Sequence, residues 1–424
     1  MIRRQLLAAT VGGIAARLGA AILLAGAAIT GFAADPIKIG FGMSLTGGLA
    51  GNGKAALLAM QIWADDVNAK GGLLGRKVDL VYYDDQTNPS TVPGIYTKLL
   101  DVDKVDLIVS GYGTNLIAPA MPIAMQRNMA FMTLFGMNPN AKFKYDRYFQ
   151  IMPNGPDPAI DFTKGFFEIA AAMKPRPKTV ALVGADAEYP HAALEGARVN
   201  AKKMGFRVVY DKTYPPKTTD FSPIIRAIQA TNPDFVYVAS YPPDSSGMVR
   251  AANEVGLKTG MFGGGMIGLG YATLKTQLGP LLNGMTSWEL YVPEPTIKFP
   301  FIDEFLKKYQ PRAMREQLDP LGFYLPPYAY AMMQVVGEAV QKVGSLDQGK
   351  IAKYIHDHEF TTVVGTVKFG KNGEWAVGRP LYVQYRGIQK GDLDEWKQAG
   401  KAVVVWPDSL KSGEHRYPYH ENRK

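Results

Sequence analysis

The sequence predicts an α/β protein of two similar, doubly wound parallel-sheet lobes joined by crossover segments. Three observations carry this prediction. From Ile37 onward, strand-like and helix-like segments alternate with short glycine turns, as βαβ units require. The alternation stops at Pro153-Asn154-Gly155-Pro156-Asp157-Pro158 and restarts at Thr179. A second proline break falls at Tyr291-Val292-Pro293-Glu294-Pro295. Clusters of turn formers between periodic segments mark crossovers or boundaries.

The elements follow in order. Residues 37–45 alternate and are β-rich, so they read as a strand, and Thr46-Gly47-Gly48 is a turn. Residues 55–70 read as a helix stopped by Gly71-Gly72, since glycine ends helices cheaply. Strands are expected at 77–85, 105–110, 129–135 and 148–152. Helices are expected at 93–100 and from Thr114 or Asn115, as N-cap, to Arg127. In the second set, strands are expected at 179–184, 206–210, 235–240 and, briefly, at Met261-Phe262. Helices are expected at 191–204, 221–230 and 246–255. After the second break come helices at 300–309, 327–342 and 348–356. Residues 366–369 and 381–387 read as two strands of a hairpin through Lys371-Asn372-Gly373, which is good hairpin chemistry. Residues 412–424 are polar and read as a tail. Two α/β lobes of this kind imply a hinged cleft, with ligands outside the carboxyl ends of the strands.

Composition narrows the function. The chain has 424 residues, 47% hydrophobic and 20% charged, which excludes wholesale disorder and allows two cores. Cysteine is absent, which excludes disulfides, thiolate metal sites, cysteine nucleophiles and a lipoprotein anchor. The formal charge is +9, and without Arg3, Arg4 and Arg17 it is +6. The positive charges are scattered, which argues against nucleic acid. Residues 1–34 have a basic start, an apolar middle and the small-residue close Gly31-Phe32-Ala33-Ala34. That is the pattern of a cleaved signal peptide, by the general or the twin-arginine export route. The expected location is the periplasm.

Candidate site residues lie at strand ends. Ser110-Gly111-Tyr112-Gly113-Thr114-Asn115 ends a strand and opens a helix, and the first amides of a helix suit an anion. The competing reading is a capped helix that binds nothing. Phe135-Gly136-Met137-Asn138 ends the next strand, where Gly136 is either a close approach to a ligand or a turn. Tyr189 and Tyr241 follow strands and supply flat walls with one hydroxyl each, or simple packing. Gly263 to Gly268 satisfies G-x-G-x-x-G, with Glu289 about 20 residues on, as a dinucleotide site would. Among 45 glycines the match is weak, and a backbone-lined cleft wall is expected instead. Asp84-Asp85 lacks a paired base and reads as a loop or cap pair. The five histidines lack metal spacing. No cofactor, metal or catalytic residue is called for. Arg127, Arg250 and Tyr324 are further candidates for the cleft.

Several of these residues carry a resemblance. Ile37-Lys38-Ile39-Gly40 with Ser44-Leu45-Thr46-Gly47, Asp66-Val67-Asn68-Ala69-Lys70-Gly71-Gly72-Leu73-Leu74-Gly75-Arg76, Tyr83-Asp84-Asp85-Gln86-Thr87-Asn88-Pro89 and Asp220-Phe221-Ser222-Pro223 are similar to one family. It is the periplasmic substrate-binding proteins of branched-chain amino-acid type ABC importers, resembled over about residues 37–390. The resemblance implies a type I periplasmic-binding fold with a three-segment hinge, and solute capture without catalysis. It implies transient partners, an ABC permease and its ATPase subunits, and a monomer. The expected division is a signal peptide at 1–34, lobe 1 at 35–153 and 292–378, lobe 2 at 154–291 and 379–400, and a C-terminal tail at 401–424.

For the ligand, the resemblance points to Gly113, Thr114 and Asn115 for a carboxylate. It points to Gly136 for a backbone contact and to Tyr189 and Tyr241 for aromatic walls. Met137 stands where amino-acid binders carry a threonine. The acid that holds an ammonium falls near Gly265, yet residues 260–270 contain no Asp or Glu. A buried ammonium without a carboxylate is costly. Phe135, Met137, Tyr189, Tyr241, Gly265 and Met266 therefore predict an aromatic or aliphatic carboxylate as ligand. A ligand sensor of the same fold and a branched-chain amino-acid binder are the alternatives.

Overall fold

The computed structural model describes residues 35–423; the expected signal peptide lies outside them. Residues 37–150 alternate β1 (Ile37–Met43), α1 (Ala50–Ala69), β2 (Val78–Asp84), α2 (Val92–Asp101), β3 (Leu107–Tyr112), α3 (Thr114–Ile117), α4 (Met121–Gln126), β4 (Phe131–Leu134), α5 (Asn140–Phe143) and β5 (Tyr148–Gln150). The five strands form one parallel sheet in the order β2-β1-β3-β4-β5. Every residue of β3 and β4 is buried, which is why these strands read as continuous apolar runs rather than as alternation.

The second set is α6 (Pro158–Ala172), β6 (Thr179–Ala185), α7 (Glu188–Lys203), β7 (Arg207–Tyr214), α8 (Ser222–Ala230), β8 (Phe235–Ser240), α9 (Pro242–Val255), β9 (Met261–Met266), α10 (Ala272–Leu278) and β10 (Thr286–Glu289). The chain then returns with α11 (Ile302–Arg315), α12 (Leu325–Val343), α13 (Gln348–Asp357), β11 (Glu359–Thr362) and β12 (Gly365–Lys368). It ends with β13 (Leu381–Tyr385), α14 (Leu393–Trp396) and β14 (Ala402–Trp406). The second sheet has seven strands, β14-β13-β10-β9-β8-β6-β7. Its β7 to β10 half is parallel, and β13 and β14 are antiparallel. The chain passes between the two sheets three times, at residues 151–157, 290–301 and 369–380.

Four expectations need correction. The proline break at 153–158 hides the start of α6, because Pro158 occupies the first turn of that helix, where a missing N–H costs nothing. The expected hairpin does not form: β12 pairs with β11, while β13 pairs with β10 and β14. Asn372-Gly373 instead docks on the edge strand, with Gln150 N donating to Gly373 O at 2.9 Å. The strand expected at Met261-Phe262 runs on through the glycines to Met266, so the G-x-G-x-x-G match is strand rather than phosphate loop.

The fourth concerns the segment from 401 onward, expected as a tail, which completes the second sheet. β14 lies in it, and Tyr419 beyond is fully buried, 5.2 Å from the ring of Phe262. Tyr419 N donates to Gly260 O at 2.8 Å, and Gln384 Nε2 donates to Arg416 O at 2.6 Å. Burial pushes the His415 imidazole down to about 3, so it is neutral where it meets Thr286 Oγ1 at 2.9 Å. Tyr419→Ala is expected to cost about 3 kcal/mol through the cavity it opens. A lowered urea midpoint checks this, and an unchanged midpoint contradicts it.

Candidate functional site

The carboxyl ends of β3, β4, β6, β8 and β9 converge on one cavity between the sheets. Tyr112 ends β3, Gly113 and Thr114 follow it, and Phe135 and Met137 follow β4. Tyr189 comes after β6, Tyr241 after β8 and Ile267 after β9. Met152 from the first crossover and Tyr324 from the return segment complete the wall. This is where an open α/β sheet binds its ligands. The cavity as folded measures about 20 Å³, room for roughly one water. A solute of several heavy atoms needs the walls to part.

Six expected residues line this cavity: Gly113, Thr114, Phe135, Met137, Tyr189 and Tyr241. Four expected residues do not. Asn115 stands beside Gly113, with its Oδ1 buried and unpartnered. Gly136 turns its carbonyl to Gln150 Nε2, 3.1 Å away. Gly265 and Met266 lie inside β9. Tyr112, Met152, Ile267 and Tyr324 complete the wall; Tyr112 lies in the candidate segment 110–115 without being singled out, Tyr324 is a further candidate, and sequence reasoning missed Met152 and Ile267. The signal for Tyr112 was its place at the end of a buried strand. Arg127 pairs instead with Asp101 at 2.8 Å, and Arg250 is exposed.

The expected single helix over 114–127 is broken into α3, a 3-10 turn and α4. Gly113 opens it at φ 108°, a conformation glycine alone takes easily. Thr114 does not cap it. Its Oγ1 accepts from Met137 N at 2.8 Å, tying the β3 loop to the β4 loop. The N–H groups of Thr114 and Asn115 open the helix and have no acceptor within it. Phe135 sits at φ 54°, uncommon for a bulky residue and typical of sites where surroundings fix the backbone.

The wall is aromatic and uncharged. Tyr112 and Tyr324 hydroxyls are 3.1 Å apart. Tyr189 packs edge-on to Tyr241 at 5.6 Å and to Phe162 at 5.9 Å. Phe162 meets Trp288 at 5.0 Å, and Trp288 meets Tyr324 at 6.3 Å. Burial pushes the Tyr112 phenol up to about 12 and those of Tyr189, Tyr241 and Tyr324 higher still. All four are therefore neutral O–H groups at physiological pH. The Tyr241 hydroxyl is buried without a partner.

At Gly265 a side chain has no room. A Cβ there would stand 2.6 Å from the Tyr237 hydroxyl, 2.7 Å from that of Tyr189 and 3.1 Å from Phe162. Tyr189 O–H donates to the Gly265 carbonyl at 2.6 Å. The nearby acids face elsewhere. Asp244 accepts from the Tyr214 hydroxyl at 3.2 Å. Glu289 is fully buried with Lys275, N to O 2.7 Å, and accepts from Tyr385 O–H at 2.5 Å. Asp84 gathers the N–H groups of Leu45, Thr46 and Gln86, and Asp85 accepts from Ser44 Oγ, so both organise a loop. Among the described residues no cluster of His, Cys, Asp or Glu is placed to hold a metal. No helix there is long and apolar enough to cross a membrane.

Two sheets with helices on their faces, three crossings and a cleft at the strand ends define a type I periplasmic-binding fold. The chain matches the periplasmic binding protein family over residues 36–387 and belongs to it. It is 25% identical over 361 residues to the leucine-, isoleucine-, valine-, threonine- and alanine-binding protein of Pseudomonas aeruginosa, covering 84% of this chain and 92% of that one. A branched-chain amino-acid transporter substrate-binding protein from Streptococcus pneumoniae, solved with isoleucine, superposes with TM-score 0.70 at 20% identity, covering 88% of this chain and all of that one. The solute-binding protein of an ABC transporter from R. palustris, solved with benzoate, superposes with TM-score 0.71 at 16% identity, covering 89% and 98%.

Two predictions follow from the buried charges. Lys275→Met leaves Glu289 a buried charge without its counter-ion and is expected to cost about 3–5 kcal/mol. The double variant Lys275→Met/Glu289→Leu is expected to recover most of that, read by urea denaturation as a double-mutant cycle; additive losses would contradict the pairing. Glu374 is buried under the β5 edge, where burial pushes its carboxyl up to about 8. Its folded value lies above the unfolded one, so stability is full below the unfolded value and falls as pH rises toward about 8. Glu374→Gln, neutral throughout, is therefore expected to gain melting temperature relative to the native chain at pH 8 more than at pH 5. Equal differences at both pH values would refute this.

Proposed function

We propose that this chain is the periplasmic solute-binding component of an ABC importer. In this reading its cleft captures a small aromatic or aliphatic carboxylate rather than a free amino acid, and delivers it to a permease. The observation that carries the ligand class is the crowding at Gly265. An ammonium needs acceptors and a nearby negative charge. Tyrosine hydroxyls fill the place where such an acid would stand, and the Gly265 carbonyl already accepts from Tyr189. Glu289 is paired with Lys275. No charged side chain lines the cavity.

The same wall is rich in neutral donors. The Thr114 and Tyr241 hydroxyls and the N–H groups opening α3 suit a carboxylate, since hydrogen bonds to a charged acceptor are short and strong. Phe135, Tyr189 and Tyr324 give flat faces, and Met137 and Met152 give adaptable ones. Ligand cavities run to about 300–1,000 Å³, far above the closed volume here, so capture requires the two lobes to separate and reclose.

A thermal-shift panel tests the reading on the chain from Asp35 onward. Benzoate, 4-hydroxybenzoate or an aliphatic acid is expected to raise the melting temperature. A ligand at a thousandfold excess over its Kd adds about 4 kcal/mol. Leucine and valine are expected to leave it unchanged. A strong shift with leucine or valine and none with the acids would overturn the ligand class.

A further inference from the structure

We propose that Gln150 is the positioning residue of the cleft, its one amide fixing both backbone segments that carry Phe135, Met137 and Met152. The proposal rests on the cleft being the solute site. Gln150 ends β5, is fully buried and does not line the cavity. Its Oε1 accepts from Phe135 N at 2.9 Å and from Met152 N at 3.1 Å. Its Nε2 donates to Gly136 O at 3.1 Å and to the Tyr148 hydroxyl at 3.0 Å. Both donors and both acceptor positions of the amide are thus engaged.

Two of these four bonds go to the backbone of wall residues, Phe135 and Met152, and a third to Gly136, which lies between the wall residues Phe135 and Met137. Phe135 is held in a left-handed conformation that costs a non-glycine residue energy, and Oε1 fixes its N–H. The next residue must be small. A Cβ at Gly136 would stand 2.9 Å from Pro139 and 3.1 Å from Nε2, so a side chain there would crowd both the turn and the amide. Met137 is anchored from the other side by Thr114 Oγ1. Met152 lies on the first crossover, so one side chain ties the β4 loop to a segment that joins the lobes. A glutamate would keep the acceptors and lose both donors. A methionine would fill the space and lose all four bonds.

The test compares Gln150→Met and Gln150→Glu with Gln384→Met. Gln384 is an equally buried amide in the second sheet, donating to Gly284 O and Arg416 O, and it does not line the cavity. Benzoate and leucine are titrated calorimetrically against each variant, alongside melting temperature and amide exchange at Phe135 and Met152. All three variants are expected to melt earlier. Only the Gln150 variants are expected to lose affinity, at least about tenfold for Gln150→Met and less for Gln150→Glu, as misplaced supports of a site do. If Gln150→Met does not fold, Gln150→Glu carries the comparison. Affinity within twofold of the native chain in the Gln150 variants, or an equal loss in Gln384→Met, would overturn the proposal. If the native chain binds leucine and not benzoate, the ligand class fails and the Gln150 comparison is read with leucine. If it binds neither, unaltered exchange at Phe135 and Met152 overturns the proposal, and faster exchange there alone upholds it.

Discussion

The cleft depends on one close approach, the convergence of the Tyr189 and Tyr237 hydroxyls on the backbone at Gly265. A single added carbon would stand under 3 Å from both oxygens, closer than such contacts allow. Gly264 is under the same constraint from the Tyr237 ring, 2.4 Å from where its Cβ would be. Two glycines in the middle of a strand weaken it by losing side-chain packing and entropy. Here they are exchanged for two large rings set against the sheet. Tyr189 is also part of an aromatic chain, Tyr241–Tyr189–Phe162–Trp288–Tyr324, that reaches from the second lobe to a residue of the return segment.

This arrangement keeps charge out of the cleft wall. Glu289, which is buried, is compensated away from the cavity lining by Lys275 and Tyr385, with the ammonium about 5.6 Å from the Trp396 ring. A buried ion pair adds little net stability, since desolvation offsets its attraction, but it compensates the Glu289 carboxylate. What faces the cavity are phenols kept protonated by burial. Neutral donors can hold an anion and release it without a proton changing hands, which suits a protein that must also let go.

The rhythm of the fold was legible in the sequence because βαβ units repeat an alternation that the order of apolar runs and glycine turns reveals. Residues 37–150 and 179–255 show it. The gathering of loops at strand ends was legible too, since a parallel sheet fixes where they lie; Gly113, Thr114, Phe135, Met137, Tyr189 and Tyr241 line one cavity there. What was not legible depended on distant partners. Lys371-Asn372-Gly373 has hairpin chemistry, yet β13 pairs with β10 because that sheet has an open edge for it. Residues 412–424 are polar, yet Tyr419 finds a slot against Phe262. Tyr324, nearly 200 residues beyond Phe135, enters the cavity only because α12 packs on the first sheet. Gln150 carries no motif, and its role exists only in its four bonds.

Each wall is tied to its own lobe. On the first side Thr114 holds Met137, and Gln150 holds Phe135 and Met152. On the second, Tyr189 is bonded to Gly265 within the β9 backbone. Just behind the wall, the ring edge of Trp288 against Tyr324 spans the two sides. Bonds within a lobe resist deformation, because a buried donor or acceptor left unmet costs about 1–3 kcal/mol. Ring-edge contacts give up only about 0.5–1.5 kcal/mol each beyond their buried area. Such a ring contact is thus weaker than the bonds that hold each side. Under the proposed function, a solute too large for about 20 Å³ would be accommodated by parting the two sides, with each half of the wall keeping its own bonds.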